Sequence, residues 1–307
     1  MNNYAEIFDS LVQKTNKYIK DNNLKCMVLG ISGGLDSTVT AAICHEVEKL
    51  NNDVKFIGVN LPCSSNTVFE NDSANMAMKA FCKDGNYWTE NLQKEYQLMK
   101  STCELHVDST DISQGNIKAR LRMIYLYNIA SVMHGIVMDT DNLTEHHLGF
   151  FTIHGDVGDL NPLGNLWKHE IYELANWLKD HYNEFTEYVS PDSFYSKDEI
   201  DVKNEYTRKV EALSYALNIT PTDGNGVNNF GDMGQIAPEF VTDDNVKAYT
   251  KVDDIIKTYI DFVGRHPDEY YAAMEALYTE YGYDTVIDII KRIKSTQYKR
   301  VRLPIVP

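Results

Sequence analysis

VLGISGGLDSTVTAAI, residues 28–43, is where an apolar run gives way to a helical pattern through Ser32-Gly33-Gly34-Leu35-Asp36-Ser37. The run CMVLGI (26–31) is short and continuously apolar, as expected of a parallel strand buried on both faces. Beyond the turn, STVTAAICHEVEKL (37–50) puts Val39, Ala42, Ile43 and Val47 on one helical face. A glycine-rich turn that opens a helix aims its backbone N–H groups outward together, at the positive end of the helix dipole, and so binds phosphate without any basic side chain. Gly33 and Gly34 remove Cβ atoms where phosphate oxygens approach, and Ser32 and Ser37 offer hydroxyl donors. Asp36 is the odd member, because a phosphate repels it unless a divalent cation stands between them. Mg2+ binds through one or two carboxylates together with substrate phosphates, so the stretch points to a magnesium nucleotide. The same residues also fit a plain strand-to-helix turn in which Asp36 and Ser37 cap the helix. The lysine-bearing pattern G-x-x-x-x-G-K-[ST] is absent, which disfavours P-loop kinase or GTPase chemistry.

Outward from this turn, VKFIGVNLP (54–62), YWTEN (87–91) and IVMDT (136–140) read as further short strands. Helical spacing predicts helices over 4–20, with Ile7, Leu11 and Ile19 inward, and over 71–84, 115–135, 165–182, 251–263 and 267–294. Strand, helix and strand in alternation predict an α/β fold of Rossmann-like type: a doubly wound, mostly parallel sheet flanked by helices, forming a single domain over residues 1–307. Ligands in such a fold gather beyond the carboxyl ends of the strands. Residues 183–250, rich in Asp, Asn and Tyr, lose clear periodicity and are expected to form a lid or insertion.

The formal charge of −16 argues against a nonspecific nucleic-acid or anionic-membrane binder, since phosphate-backbone affinity needs clustered Lys and Arg. The one basic strip, KRIKSTQYKRVRLPIVP (291–307), holds six Lys or Arg and no acid. It reads as a solvated helix end or as an anion contact. Five cysteines, at 26, 44, 63, 82 and 103, form no C-x-x-C and suggest free thiols in a reducing, cytoplasmic compartment. No apolar run is long enough to span a bilayer, and no N-terminal signal pattern is evident. His146, His147 and His154 lack the spacing of a zinc site.

SGGLDS after a first strand resembles the pyrophosphate-binding loop of the N-type ATP pyrophosphatases, synthetases that adenylate a carbonyl or carboxyl group and release pyrophosphate. GNIKARLRM (115–123), TDNLTEHHLGFFTIHGDVGDLNPLGNLWKHEIYELANWL (140–178) and the terminal YKRVRLP follow in order the pattern of NAD synthetases, specifically the ammonia-dependent type. The resemblance covers most of residues 4–180 and the C-terminal strip, and only fragments of 183–250. It implies ATP-dependent amidation of deamido-NAD with ammonia to give NAD, AMP and pyrophosphate through an acyl adenylate, with Mg2+ as cofactor and ATP as co-substrate. It also implies a homodimer with the substrate sites at the subunit interface. Asp36, Glu145 and Lys168 fall on the catalytic positions, with Asp36 and Glu145 as the Mg2+ carboxylates. Gly30, Ile31, Ser32, Gly33, Gly34, Leu35, Asp36, Ser37, Thr140, Lys168 and, in TPTDG, Thr222 fall on ATP-binding positions. Arg120, Phe150, Asp159 and Lys299 fall on those that hold deamido-NAD.

The chain departs from the family pattern at Asp139, where glycine is usual, at Ile153, where the ammonia-dependent branch commonly has lysine, at Tyr298, which replaces the histidine of the terminal pair, and in GDVG, which replaces GDGG. Two alternatives follow. One is another adenylating synthetase of the same superfamily; the other is a noncatalytic nucleotide sensor that kept the fold.

Overall fold

The computed structural model describes residues 3–63, 65–187, 197–219, 231–242 and 244–300. Its centre is a four-stranded parallel sheet in the order β3-β2-β1-β4, formed by β1 (Cys26–Gly30), β2 (Lys55–Asn60), β3 (Tyr87–Thr89) and β4 (Gly135–Val137). Met27 pairs with Phe56 and with Ile136, which fixes the register of β2, β1 and β4. β1 is buried along nearly its whole length and β2 from its second residue on, as continuous apolar runs require when helices cover both faces of a sheet. Strand order reverses between β2 and β4 on either side of β1, so the crevice beyond β1 is the topological switch point.

Helices α1 (Tyr4–Asp21), α2 (Leu35–Leu50), α3 (Val68–Phe81), α4 (Gln93–Cys103), α5 (Asp111–Val132), α6 (Leu143–Leu148) and α7 (Lys168–Glu187) surround the sheet. Two of these, α4 and α6, were not expected from the sequence. α6 is too short for periodicity to reveal, but its start carries a capping box: the Asn142 side chain accepts from Glu145 N, and the Glu145 side chain accepts from Asn142 N. Helix α3 begins at Val68, three residues ahead of the predicted 71–84, because Thr67 and Glu70 form another capping box.

The C-terminal part comprises α8 (Lys197–Leu217), α9 (Gly231–Ile236), α10 (Asn245–Phe262), α11 (Pro267–Tyr281), α12 (Tyr283–Ser295) and α13 (Gln297–Arg300). Part of 183–250, where the sequence shows no clear periodicity, packs into the core. In α8, Ala212, Leu213 and Ala216 are fully buried in the same core as β1, α2 and α7. The helical stripe was hard to see because one of its inward positions is a lysine. Lys209 is fully buried, with its ammonium 5.3 Å and 5.0 Å from the ring centres of Tyr182 and Tyr206 and 2.6 Å from Glu205 Oε1. Thr222, residues 188–196, 220–230 and 243 of the expected lid, and the last residues of the basic strip lie outside the described residues.

The loop after β1 is fastened to α3. Gly33 has φ +88°, and Ser73 Oγ donates to its carbonyl at 2.7 Å. A Cβ on Gly33 would lie 2.4 Å from the Glu70 carbonyl oxygen and 2.7 Å from Ala74 N, both backbone atoms. Gly33→Ala combines left-handed strain with a backbone clash and is expected to lower the unfolding free energy by about 3 kcal/mol. Urea unfolding measures it.

Candidate functional site

A cleft of about 490 Å³ opens at the carboxyl ends of β1, β2 and β4. One wall is the loop and first turn of α2, where Gly30, Ile31, Ser32, Gly34, Leu35, Asp36 and Ser37 all contribute. Gly33 does not line it, since its backbone turns onto α3 instead. Gly34 is the N-cap residue of α2 and receives no side-chain cap; Ser37 Oγ and Thr38 Oγ1 both donate to its carbonyl oxygen at 2.9 Å. The capping role open to Asp36 in the sequence is not the one it takes. Asp36 does not cap its own helix, and its carboxylate turns across the cleft.

There it meets Lys168 and Glu145. The Lys168 ammonium, only 3 % exposed, pairs with Asp36 Oδ2 and lies 3.4 Å from Glu145 Oε1. Asn142 Nδ2 donates to Asp36 Oδ1 at 3.1 Å, and Asn142 N donates to Glu145 Oε2 at 3.1 Å. Three side chains from α2, α6 and α7 thus share one charge cluster, with Asn142 as their neutral link. Asn142 went unassigned in the sequence, although the N-x-x-E spacing of the capping box was its signal. Burial by itself would lower the Lys168 pKa, but Asp36 and then Glu145 override it and hold the ammonium well above the usual lysine value. Two carboxylates around one ammonium leave the cluster formally anionic. Among the described residues no group of three His, Cys, Asp or Glu side chains is arranged to hold a metal ion. The oxygen pair of Asp36 and Glu145 therefore suits a hard cation that brings its remaining ligands from a phosphate chain.

Further acids lie beside the cluster. Asp139 is buried and its carboxylate accepts from Asp141 N at 2.9 Å, so the residue that departs from glycine shapes the loop after β4. Thr140 and Asp141 face the cleft. Burial, then Asp139 and Glu145, push the Asp141 carboxyl well above its ordinary value. Asp156, which accepts from Thr152 N at 2.6 Å, is pushed up to about 6, mainly by burial.

The C-terminal strip forms the opposite wall. Gly149 ends α6 in the left-handed region, and a Cβ there would lie 2.4 Å from Thr296 Cβ, so α12 and α13 pack directly on this turn. Lys299 Nζ donates to Gly149 O and Phe151 O, and Arg300 to His147 O, which satisfies carbonyls that the helix end leaves open. Phe150 lies under the Arg292 guanidinium at 4.7 Å; Phe150, Arg292 and Lys299 all line the cleft. Tyr298 is exposed and does not line the cleft. His146 stacks on Phe151 and His147 on Trp167.

Arg120 and Asp159, expected at the substrate, do not line this cleft. Arg120 is exposed on α5 and donates to Ile153 O at 3.2 Å. Asp159 accepts from Tyr127 Oη at 2.8 Å and from Val137 N at 3.3 Å, closing the end of β4. The basic side chains of α5 that do face the cleft are Lys118 and Arg122, one turn apart on the helix. Arg122 donates to Leu61 O at 3.0 Å and to Asn66 Oδ1 at 3.2 Å, and Lys118 donates to Ser65 Oγ at 2.9 Å. In KARLR the sequence offered two arginines and a lysine; only the helical phase in the fold tells which of them point inward.

The profile of the NAD synthase family matches residues 7–198. The NH3-dependent NAD+ synthetase of Finegoldia magna is 35% identical over 177 residues, spanning 57% of this chain and 70% of the relative. That of Sulfurisphaera tokodaii is 27% identical over 299 residues, spanning 97% of this chain and 87% of the relative. Among solved structures, the NMN synthetase of Francisella tularensis superposes with a TM-score of 0.68 at 21% identity, covering 100% of this chain and 99% of the other, a likeness of fold.

A carboxyl whose folded pKa is raised destabilises the folded state once it ionises. For Asp156 the penalty is absent below the unfolded carboxyl range and fully present above about pH 6. Asp156→Asn keeps a carbonyl acceptor for Thr152 N and removes the charge. It is expected to raise stability at pH 8 by about 1–3 kcal/mol and to lose that advantage by pH 4, read from chemical unfolding at the two pH values.

Proposed function

The chain belongs to the NAD synthase family, and on that footing we propose that it amidates deamido-NAD with ammonia, using ATP and releasing AMP and pyrophosphate. The observation that carries this reading is the convergence of Asp36, Glu145 and Lys168 at the phosphate-binding turn. A nicotinate carboxylate oxygen attacks the α-phosphorus of ATP, the bond to the β,γ-diphosphate breaks, and an acyl adenylate forms. Ammonia then attacks the carbonyl carbon, the bond to AMP breaks, and one proton leaves the new amide.

Neither step needs a covalent enzyme nucleophile, so the protein acts by alignment and charge. The backbone N–H groups of Leu35 and Asp36, in the first turn of α2, would meet the transferring phosphates at the positive end of that helix. Lys168, carried on the first turn of α7, supplies a positive charge for the diphosphate as it departs. Asp36 and Glu145 would hold Mg2+, whose chemistry is to neutralise and orient the phosphate chain. Phe150, Arg292 and Lys299 offer an aromatic face and positive charge for the nicotinate end of the substrate. The five free cysteines fit a reducing compartment, and the reaction reads as cytoplasmic. Among the described residues no helix is long and apolar enough to cross a membrane.

A homodimer completes the proposal. Helix α5 exposes Ile112, Arg120, Ile124 and Tyr127 at helical spacing, with Ile112 73% and Ile124 65% exposed, and α4, which packs on α5, exposes Leu98. A second copy of this chain is the occupant we assign to that apolar face, and Arg120 would then be offered to the neighbouring subunit. Sedimentation velocity is expected to give a dimer for the parent and a monomer for Ile124→Glu; an unchanged parent monomer refutes the assignment.

Incubation with deamido-NAD, ATP, Mg2+ and ammonium is expected to yield NAD and AMP in equal amounts. Lys168→Met should lower kcat by about 100-fold or more, and Asp36→Ala should abolish turnover. Nicotinic acid mononucleotide as the acceptor tests the smaller substrate suggested by the Francisella neighbour's name. Amidation of neither acceptor despite ATP binding would favour a nucleotide sensor, and AMP release with a different acceptor another adenylating synthetase.

A further inference from the structure

Helix α7 begins at Lys168 itself, and its first amides are capped by other elements of the fold. Lys168 N donates to Thr144 Oγ1 on α6 at 2.9 Å. His169 N donates to Asp253 Oδ2 on α10 at 3.1 Å, and His169 Nδ1 lies 2.7 Å from the same oxygen. Thr144 Oγ1 in turn donates to Asp253 Oδ1. Asp253 is completely buried, and its two oxygens gather a hydroxyl, an amide and an imidazole from α6 and α7. The first amide groups of a helix need partners from outside it, and here they come from Thr144 and from a carboxylate over eighty residues further along the chain.

We propose that Asp253 is a positioning residue of the reaction: through Thr144 and His169 it sets where Lys168 and Glu145 stand relative to Asp36. Thr144 immediately precedes Glu145, and Asp253 binds the residue immediately after Lys168, so one carboxylate touches a neighbour of each side chain that faces Asp36 across the cleft. A buried carboxylate is a poor device for stability, because its desolvation cancels much of what its hydrogen bonds supply and a well-packed apolar side chain serves as well. Its strength is direction: three donors converge on two oxygens and fix the phase of α7 against α6. Asp253 lies on α10, outside the residues matched by the family profile, so this support comes from the part of the chain that the profile does not reach. The lysine ammonium must meet the departing diphosphate within hydrogen-bond reach, and small misplacements in such alignments are costly in rate.

This inference rests on the proposed function for the roles of Lys168 and Glu145, and its test separates the two. Parent, Thr144→Val, Thr144→Ser, Asp253→Asn and Asp253→Ala chains are compared for NAD synthesis, thermal unfolding and backbone amide exchange. Thr144→Val keeps the side-chain shape without the hydroxyl. It is expected to lower kcat at least tenfold with KM for deamido-NAD within twofold, while Thr144→Ser stays within threefold of the parent. Asp253→Asn should follow Thr144→Val, and Asp253→Ala should exceed both if it folds. Amide exchange at Lys168 and His169 should accelerate at least tenfold in Thr144→Val and Asp253→Asn. Unchanged kcat in both variants, or kcat and KM falling only in step with the melting temperature, overturns the proposal. If the parent makes no NAD, the functional reading fails instead, and amide exchange alone decides: unchanged rates at Lys168 and His169 overturn the positioning role.

Discussion

One buried ammonium held between two carboxylates sets the terms for the rest of the site. Lys168 is almost fully enclosed, and neither its burial nor the approach of Asp36 and Glu145 would be tolerable alone. Together they require α2, α6 and α7 to meet at one point, with the sheet delivering α2 from β1 and α6 from β4. The remaining parts of the cleft accommodate that meeting. Asn142 fills the gap between the two acids, Asp139 shapes the loop leading to α6, and the C-terminal basic strip closes over the far end of α6.

The arrangement separates charge of opposite sign along one cleft. The acids collect where α2, α6 and the loop after β4 converge, while Lys118 and Arg122 line the β2 side and Arg292 and Lys299 the side of α12 and α13. An anionic nucleotide entering such a cleft finds cations at its flanks and carboxylates at its middle, which is the order expected where a divalent cation accompanies the phosphates. The strong overall negative charge of the chain does not contradict anion binding, because the field that the ligand meets is local.

Much of this was legible before any fold was available. The continuous apolar strands, the SGG turn and the ordered motifs around Glu145 and Lys168 were each local in sequence; the structure contains the parallel sheet and the loop, and it brings Asp36 and Glu145 to the same lysine. Legibility failed wherever the signal was carried by a contact distant in sequence or by a residue of the unexpected type. Helix α8 hid behind the buried Lys209, whose stem packs as an apolar group while Glu205 takes its charge. Arg120 was singled out within KARLR; the side chains that line the cleft of its own subunit are Lys118 and Arg122, two residues to either side, a difference of helical phase that the motif alone does not show. Asp159 carried the same acid signal as Asp36 but is engaged by Tyr127 at a strand end.

The sequence by itself determined the strand-turn-helix of a kind suited to phosphate, the presence of an acid inside it and the acids and lysine that could partner it, because periodicity, glycine placement and capping spacings are set by neighbouring residues. Only the tertiary structure decided that Asp36 leaves its own helix uncapped to face Lys168 and Asn142, and that Asp253 reaches the start of α7 from α10. Those outcomes depend on hydrogen bonds across more than eighty residues, whose partners are chosen by how helices pack on the sheet and not by any spacing along the chain.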